Sequence, residues 1–489
     1  MRRCTGLLYQ RTIIDYGIVS VFKRQIIKGS LSNFLGIGLG VLNNIWLFPL
    51  AFTLEELGIY RWVERTAVLI AAIALLGMHR TYVRYQSQFQ GEEASQFLSN
   101  IVVIVAAVAG VSGIGFSLFA GRLASLLDVP IADEIFILGA VIAGSMTYTL
   151  GLSIASSAKR ISVPFFMKNV GIRLALLISA YLVSKDQLDF SFWMRIFALV
   201  HVCVGLGVLA YSLLLKGIPL RKPKPLNKGL GQELATFAGS GVIMAVMTMS
   251  LATIDSQMIV SLMSYEALGI YSIAFFIGSF VDGIRRPVSQ ALSPQFANLW
   301  NEGNTDAIAK MYGRTSRVLM AVALVSFLLI VPNIEIIFSM IPHPERFEDA
   351  KSVVVLVLFS RVIDYSFGSN GELLSNGPYF KWNLLAISGL VALLIGLNYV
   401  LIPKHGLDGA GYALVISYAV FNSAKAVYLY LKENMQPFST VQLRLVCIAL
   451  PTFLLAKKLS GPSTMDFILT NAVIVIGLVV GFILVRKRI

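Results

Sequence analysis

The chain has 489 residues, of which 56% are hydrophobic and 13% are charged, and its mean hydropathy is +0.76. Soluble domains carry about 25% charged residues, so this composition excludes a soluble enzyme or binding domain. A formal net charge of +14 would suit a nucleic-acid partner, but the positive-inside bias of membrane loops accounts for it without one. The spacing of the three cysteines, Cys4, Cys203 and Cys447, matches no metal or redox motif.

The chain begins with a basic segment, residues 1–28, that lacks the apolar core of a signal peptide. Fourteen apolar segments follow, each long enough, or nearly so, to cross a bilayer, which takes about 20 apolar residues per helix. We therefore predict an all-α polytopic membrane protein with fourteen transmembrane helices. Their predicted limits are 29–52, 58–80, 97–120, 131–157, 166–184, 192–215, 233–263, 268–290, 313–332, 351–372, 382–403, 406–431, 442–459 and 466–485.

The distribution of basic residues predicts the orientation of these helices. With a cytoplasmic N-terminus, most of the 40 Lys and Arg residues fall on the cytoplasmic side, including the Lys216–Lys228 loop and Arg486–Arg488. The loops on the opposite side are acidic, as at Asp128 and Asp349. An even number of spans also returns the C-terminus to the cytoplasm. We expect a multi-pass protein of the bacterial inner membrane with both termini in the cytoplasm.

An internal repeat predicts two related halves. The hexapeptide Glu55–Tyr60, EELGIY, recurs as Glu266–Tyr271, EALGIY, and each copy lies in the turn between the first and second helix of its half. The offset spans six helices, so the copies have the same orientation and would be related by an axis along the membrane normal. The predicted parts are a basic N-terminal segment at 1–28, an N-lobe at 29–215, a Pro- and Gly-rich cytoplasmic linker at 216–232, a C-lobe at 233–431, and two additional helices with a basic tail at 432–489.

The sequence contains none of the catalytic motifs that would indicate an enzyme. There is no Walker loop, no His-Glu-x-x-His motif and no paired-cysteine motif, and the four histidines are scattered. The Gly36, Gly38 and Gly40 series lies inside an apolar span, where small residues usually allow close helix contact. We therefore predict a protein without enzymatic activity, metal or cofactor.

Charged residues inside the predicted spans are the remaining candidates for function, because burying a charge at mid-bilayer costs about 2.5–3.5 kcal/mol on insertion scales. Two interpretations stay open. Each arginine could pair with an acid three or four residues away on its own helix or extend to the headgroups. Alternatively, the arginines could line a cavity and bind an anion, since the planar guanidinium donates two hydrogen bonds to a phosphate. The predicted pyrophosphate-binding residues are Arg61, Arg65, Arg285, Arg286 and Arg361. The predicted polar or ion-coupling residues are Asn44, Asp255, Asp282 and Asp364.

Several stretches resemble the Wzx-like polysaccharide flippases of the multidrug/oligosaccharidyl-lipid/polysaccharide (MOP) exporter superfamily, over essentially residues 20–435. They are LNNIWLFPLAFTLEELGIYRW (42–62), TIDSQMIVSLMSYEALGIYSIAF (253–275), GELLSNGPYFKWN (371–383) and LNYVLIPKHGLDGAGYALVISY (397–418). The resemblance implies a two-lobed helical bundle that works by alternating access. It also implies a polyprenyl-pyrophosphate-linked oligosaccharide as cargo, moved to the outer leaflet for surface polysaccharide such as O-antigen, capsule or exopolysaccharide.

The same resemblance implies which partners to expect and leaves one alternative function. Its partners would be the lipid-linked oligosaccharide and membrane lipids, with no nucleic acid. A polysaccharide polymerase and a chain-length regulator are the candidate protein partners. Lipid II flippases of the superfamily use arginines in the first, second and eighth helices, whereas the first predicted helix here has Asn43 and Asn44. That departure favours a glycan other than a peptidoglycan precursor. The alternative is a cation-coupled multidrug exporter of the same superfamily.

Overall fold

A computed structural model describes residues 31–118, 132–223, 228–461 and 464–485, and all regular structure in these ranges is helical. The predicted basic segment 1–28 and the Arg486–Arg488 tail lie outside the described residues. The helices are α1 (Leu31–Ala51), α2 (Leu54–Ala74), α3 (Met78–Tyr85), α4 (Gly91–Leu118), α5 (Ala132–Ser157), α6 (Ser162–Val183), α7 (Phe190–Lys216), α8 (Lys228–Leu262), α9 (Tyr265–Gly278), α10 (Asp282–Asn301), α11 (Thr305–Ile330), α12 (Ile334–Ser339), α13 (Ala350–Ser366), α14 (Asn370–Ser375), α15 (Phe380–His405), α16 (Leu407–Glu433), α17 (Thr440–Leu459) and α18 (Thr464–Val485).

A helix occupies each of the fourteen predicted segments, but the count of fourteen spans is not confirmed. Among the described residues, ten helices are long and apolar enough to cross a membrane, and two bent helix pairs raise the number to twelve if each pair is one span. Helix α13 has 17 residues, and the apolar part of α18 is the short stretch Met465–Gly481. The chain is thus a multi-pass helical membrane protein with ten to twelve candidate spans by this measure.

Two predicted spans are broken rather than continuous. The eighth, predicted at 268–290, is divided into α9 and α10, which meet at an angle of 57°. The second, predicted at 58–80, is divided into α2 and α3, which meet at 50°. At the second break Gly77 has φ +69°, and a Cβ there would overlap the carbonyl oxygen of Ala238. Only glycine combines this backbone conformation with so close a contact.

The chain forms two compact units. Unit 1 contains the described residues of 1–52 and 63–249, and unit 2 contains residues 53–62 and the described residues of 250–489. In unit 1, α5 packs against α7 and α4. In unit 2, α13 packs against α9, α11 and α16, and α17 and α18 pack on each other and on α11. The lobe boundaries drawn from the repeat stay a prediction.

The two copies of the repeated hexapeptide pack directly on each other within unit 2. A Cβ on Gly58 would overlap the carbonyl oxygen of Tyr265, and a Cβ on Gly269 would overlap the carbonyl oxygen of Leu54. Gly58 and Gly269 are equivalent positions of the repeat, so the contact is reciprocal: each glycine admits the backbone of the other copy. Trp62 adds an edge-to-face contact with Tyr265 at 6.1 Å between ring centroids. The sequence repeat is therefore also a packing motif.

This reciprocal contact predicts that Gly58→Ala and Gly269→Ala each lower the free energy of unfolding by more than about 2 kcal/mol, because overpacking of a tight contact costs about 1–3 kcal/mol and a backbone atom yields less than a side chain. The measurement is thermal unfolding of purified protein in detergent. Gly396→Ala on α15 is the matched control, since a Cβ there meets nothing within 4 Å. Equal midpoints of thermal unfolding for all three variants would contradict this prediction, because the helices would then move apart without loss of stability.

Candidate functional site

Four of the predicted charged residues come together where α10 meets α13 in unit 2. We call Asp282, Arg285, Arg361 and Asp364 the charge cluster. Arg285 Nη1 pairs with Asp364 Oδ2, and Arg361 Nε lies 3.3 Å from Asp282 Oδ1. The sequence D-x-x-R on α10 thus pairs in parallel register with R-x-x-D on α13. Each pair joins two helices, so the interpretation that Arg285 and Arg361 pair with acids of their own helices is wrong.

Neutral side chains complete the hydrogen bonding of the charge cluster. Tyr365 donates its hydroxyl hydrogen to Asp282 Oδ1 at 2.5 Å, and Asn422 of α16 donates to Asp364 Oδ1 at 3.0 Å. Asn370 donates in turn to Asn422 Oδ1 at 2.9 Å. Ionised groups can be buried only when they are paired and their remaining lone pairs accept hydrogen bonds, and both carboxylates here meet that condition. Four helices, α10, α13, α14 and α16, are tied together through this network.

The three predicted arginines on α10 and α13 differ in the exposure of their side chains. The side chain of Arg361 is 7% exposed and lies over the rings of Phe275 and Tyr418 at 5.8 and 5.3 Å. The side chain of Arg285 is 23% exposed. Arg286 is exposed and has no hydrogen-bond or ion-pair partner among the described residues. Arg361 is therefore enclosed by protein side chains, whereas Arg286 is exposed.

The predicted residues of α1 and α2 lie away from the charge cluster in sequence and have other surroundings. Arg61 is buried, with its guanidinium 4.9 Å from the centroid of the Tyr60 ring, and Arg65 is half-buried. Asn44 lies in a π-helical turn of α1, Leu42–Leu47, and donates to the carbonyl oxygen of Gly40 at 2.6 Å. Its amide group therefore caps a local irregularity in its own helix.

Asp255 forms a second buried polar group in unit 2. Its Oδ1 accepts a hydrogen bond from Asn398 of α15 at 2.9 Å, and its Oδ2 accepts one from Tyr271 of α9 at 3.2 Å. All three side chains are buried. Tyr271 is the last residue of the second repeat copy, so the repeat motif positions one of the donors. Asp255 thus links α8, α9 and α15.

Sequence reasoning missed several members of these networks: Tyr365, Asn370, Asn398, Asn422 and Lys425. Asn398, Asn422 and Lys425 were detectable as polar residues inside predicted apolar spans, since such residues are costly there and usually face other protein groups. Their partners could not be named, because pairing across helices depends on which helices are neighbours. Within the described ranges no three His, Cys, Asp or Glu side chains are grouped closely enough to hold a metal ion.

Comparison with known proteins gives a fold. No family model and no curated protein sequence matches the chain. A solved structure titled lipid II flippase MurJ, inward closed conformation, matches 95% of this chain and 99% of its own with a TM-score of 0.77 and 12% identity. An inward-facing multidrug resistance MATE family transporter of the MOP superfamily matches 83% of this chain and 94% of its own with a TM-score of 0.65 and 12% identity. The chain has the MurJ/MATE fold, as the resemblance led us to expect.

The paired charges predict a strong coupling between Asp282 and Arg361. Asp282→Asn alone should lower the free energy of unfolding by about 3–5 kcal/mol, because it leaves the buried Arg361 without its counter-charge. Arg361→Gln should cost less, because the Asp282 side chain is 27% exposed and keeps its hydrogen bond from Tyr365. The double variant should lose less than the sum of the two single losses. Denaturation in mixed micelles measures all four proteins of the cycle. Pairing Asp282→Asn with Arg444→Gln, an exposed arginine on α17, serves as the control and should be additive.

Proposed function

We propose that this protein translocates a polyprenyl-pyrophosphate-linked oligosaccharide across the bacterial inner membrane by alternating access, for the synthesis of a surface polysaccharide. The observation that carries the proposal is the extent of the match with the lipid II flippase, 95% of this chain. The unmatched 5% is shorter than the C-terminal segment 432–489, so the match includes at least part of the chain beyond the two predicted lobes. The MATE transporter leaves 17% unmatched. The class of cargo, a lipid-linked glycan, is proposed by analogy with that flippase of lipid II.

The charges of unit 2 support an anionic cargo. Arg286 is exposed, lacks a partner among the described residues, and adjoins Arg285, which is itself partly exposed. A guanidinium keeps its charge at any physiological pH and offers a planar fork to phosphate oxygens. We assign the first pyrophosphate contact to Arg286, with Arg285 beside it and Arg361 holding the cluster in place. Arg61 and Arg65 of α2 are the proposed cations of the N-terminal half.

The glycan is proposed to differ from a peptidoglycan precursor, because Asn43 and Asn44 occupy the first helix where lipid II flippases of the superfamily use an arginine. Asn43 Nδ2 donates to the carbonyl oxygen of Arg173 at 2.9 Å, whereas its buried Oδ1 accepts no hydrogen bond among the described residues. A polysaccharide polymerase and a chain-length regulator would act on the translocated product and are the proposed protein partners.

A cation-coupled multidrug exporter is the second candidate, favoured by the MATE fold and by the buried carboxylate of Asp255. In either function Asp255 is a candidate coupling residue, because it is a buried carboxylate inside a predicted span, and carboxylate oxygens are ligands for cations. Asp255→Asn should then abolish the dependence of transport on the ion gradient. Transport by Asp255→Asn with the wild-type ion dependence would remove Asp255 from this role.

The test of the cargo uses a strain of the native bacterium that lacks this gene. If the proposal is right, lipid extracts should contain accumulated polyprenyl-pyrophosphate-linked repeat units on the cytoplasmic leaflet, and surface glycan should be missing until the wild-type gene is restored. Normal surface glycan together with increased sensitivity to cationic drugs would instead establish the multidrug exporter.

Variants in the same strain test the assignment of Arg286. Arg286→Ala should reduce surface glycan at least tenfold, equivalent to about 1.4 kcal/mol of lost binding to the cargo. Its level in the membrane should be unchanged, because the exposed side chain makes no hydrogen bond or ion pair among the described residues. Arg286→Lys should recover part of the activity by restoring charge without the planar fork. Arg444→Ala is the control, and equal glycan levels for both alanine variants would contradict the assignment.

A further inference from the structure

Arg173 of α6 places a guanidinium near the middle of an apolar span of unit 1. The span runs from Ser162 to Val183 and has 22 residues, so Arg173 is its twelfth residue. At 1.5 Å per residue it lies about 16 Å along the helix, roughly the middle of a hydrocarbon core about 30 Å thick. Charged side chains at this depth are costly and often mark the pathway of a substrate or an ion.

Helix α1 receives this guanidinium in a slot formed by two glycines, Gly36 and Gly40, which we call the glycine slot. Arg173 Nη1 donates to the carbonyl oxygen of Gly36. A Cβ on Gly40 would lie 2.8 Å from Arg173 Nη1 and 3.2 Å from its Cζ, so only glycine leaves room for the guanidinium here. In return, Asn43 Nδ2 of α1 donates to the carbonyl oxygen of Arg173 at 2.9 Å. The two helices thus hold the guanidinium in a defined position.

Both helices depart from regular α-helical geometry beside this contact. In α1 the π-helical turn Leu42–Leu47 begins two residues after Gly40. In α6 the π-helical turn Met167–Ile172 ends at the residue before Arg173. Single π-helical turns are rare in proteins and are frequently found at functional sites. Two of them on either side of one intramembrane arginine therefore indicate a functional site in addition to a packing contact.

The accessible part of Arg173 is suited to an anionic ligand. The residue is half-buried, so the slot encloses its side chain only in part. Because a guanidinium at mid-bilayer rarely faces lipid, we infer that the accessible part faces a polar cavity. A guanidinium can donate two parallel hydrogen bonds to a phosphate. The buried Oδ1 of Asn43 accepts no hydrogen bond among the described residues, which places an acceptor for water or a sugar hydroxyl beside the cation.

We propose that Arg173 is a cargo-binding residue of unit 1, that its guanidinium donates hydrogen bonds to the pyrophosphate, and that the glycine slot sets its position. It acts in addition to Arg61 and Arg65, which lie on α2. The proposal rests on the transport function proposed above, because that function supplies the pyrophosphate.

Two lipids that differ only in the charged group test the contact: a polyprenyl pyrophosphate and the polyprenol of the same chain length. Their binding is measured on the purified, full-length protein in detergent. Arg173→Gln should weaken binding of polyprenyl pyrophosphate at least tenfold and leave binding of polyprenol unchanged, whereas Arg173→Lys should recover part of the loss. A structural role of Arg173 would change the binding of both lipids alike. Arg195→Gln, at an exposed arginine on α7, is the control and should bind both lipids as the wild type does.

The glycine slot offers a second variant that keeps the charge. In Gly40→Ala the new methyl group would displace the guanidinium, which is the end of a flexible side chain and can move at little cost to the fold. Binding of polyprenyl pyrophosphate should fall at least threefold, again without a change for polyprenol. Gly38→Ala is the matched control, since a Cβ there meets nothing within 4 Å. Gly40→Ala decides the test alone if Arg173→Gln does not fold.

Two outcomes would overturn the assignment of Arg173: wild-type binding of polyprenyl pyrophosphate by both Arg173→Gln and Gly40→Ala, or an equal loss for both lipids in Arg173→Gln. Loss of the preference for pyrophosphate in Arg286→Ala but not in Arg173→Gln would overturn this assignment and leave the proposed cargo standing. A wild type that binds the two lipids equally would overturn the proposed cargo, and the assignment with it.

Discussion

Unit 2 depends on one physical constraint: a charge buried among apolar helices must meet its counter-charge on a neighbouring helix. The D-x-x-R motif of α10 and the R-x-x-D motif of α13 satisfy that constraint in parallel register, with Arg285 against Asp364 and Arg361 beside Asp282. Because neither helix can slide or rotate by a residue without separating a pair, the motifs define the register of the two helices. Such pairs contribute more to specificity than to net stability, since desolvation offsets much of their attraction.

A second constraint is the close approach of the repeat copies. Gly58 and Gly269 each admit the backbone of the other copy, which brings the start of α2 against α9 at a distance that no other residue allows. In a membrane, where lipid tails are as apolar as leucine, such close packing is a main source of helix association. The same copy supplies Tyr271, whose hydroxyl donates to Asp255. One short motif thus joins packing at the helix crossing to the polar network inside the unit.

Much of the fold could be predicted from the sequence because its signals are local. Every apolar segment is a helix, since a bilayer segment must satisfy its backbone groups internally. The breaks at Gly77 and after Gly278 were missed because hydropathy is unaffected by a bend of 50° or 57°. The members of the charge cluster were found as intramembrane charges, but neither of the two interpretations left open by the sequence foresaw that they pair with each other across α10 and α13. Asn422 and Lys425 were missed for the same reason: a contact between α13 and α16 is a property of tertiary packing that no spacing within one helix encodes.

For the transport function proposed above, the structure suggests a division of tasks between two arginines of unit 2. Arg361 is enclosed by its partners and cannot exchange them for a ligand without exposing Asp282, so it maintains structure. Arg286 is exposed and has no hydrogen-bond or ion-pair partner among the described residues, and it is the residue to which we assign binding and release of the anion. Very tight binding would prevent release of the cargo. An exposed arginine beside a charge cluster whose two arginines and two aspartates balance each other attracts an anion without a large excess of positive charge.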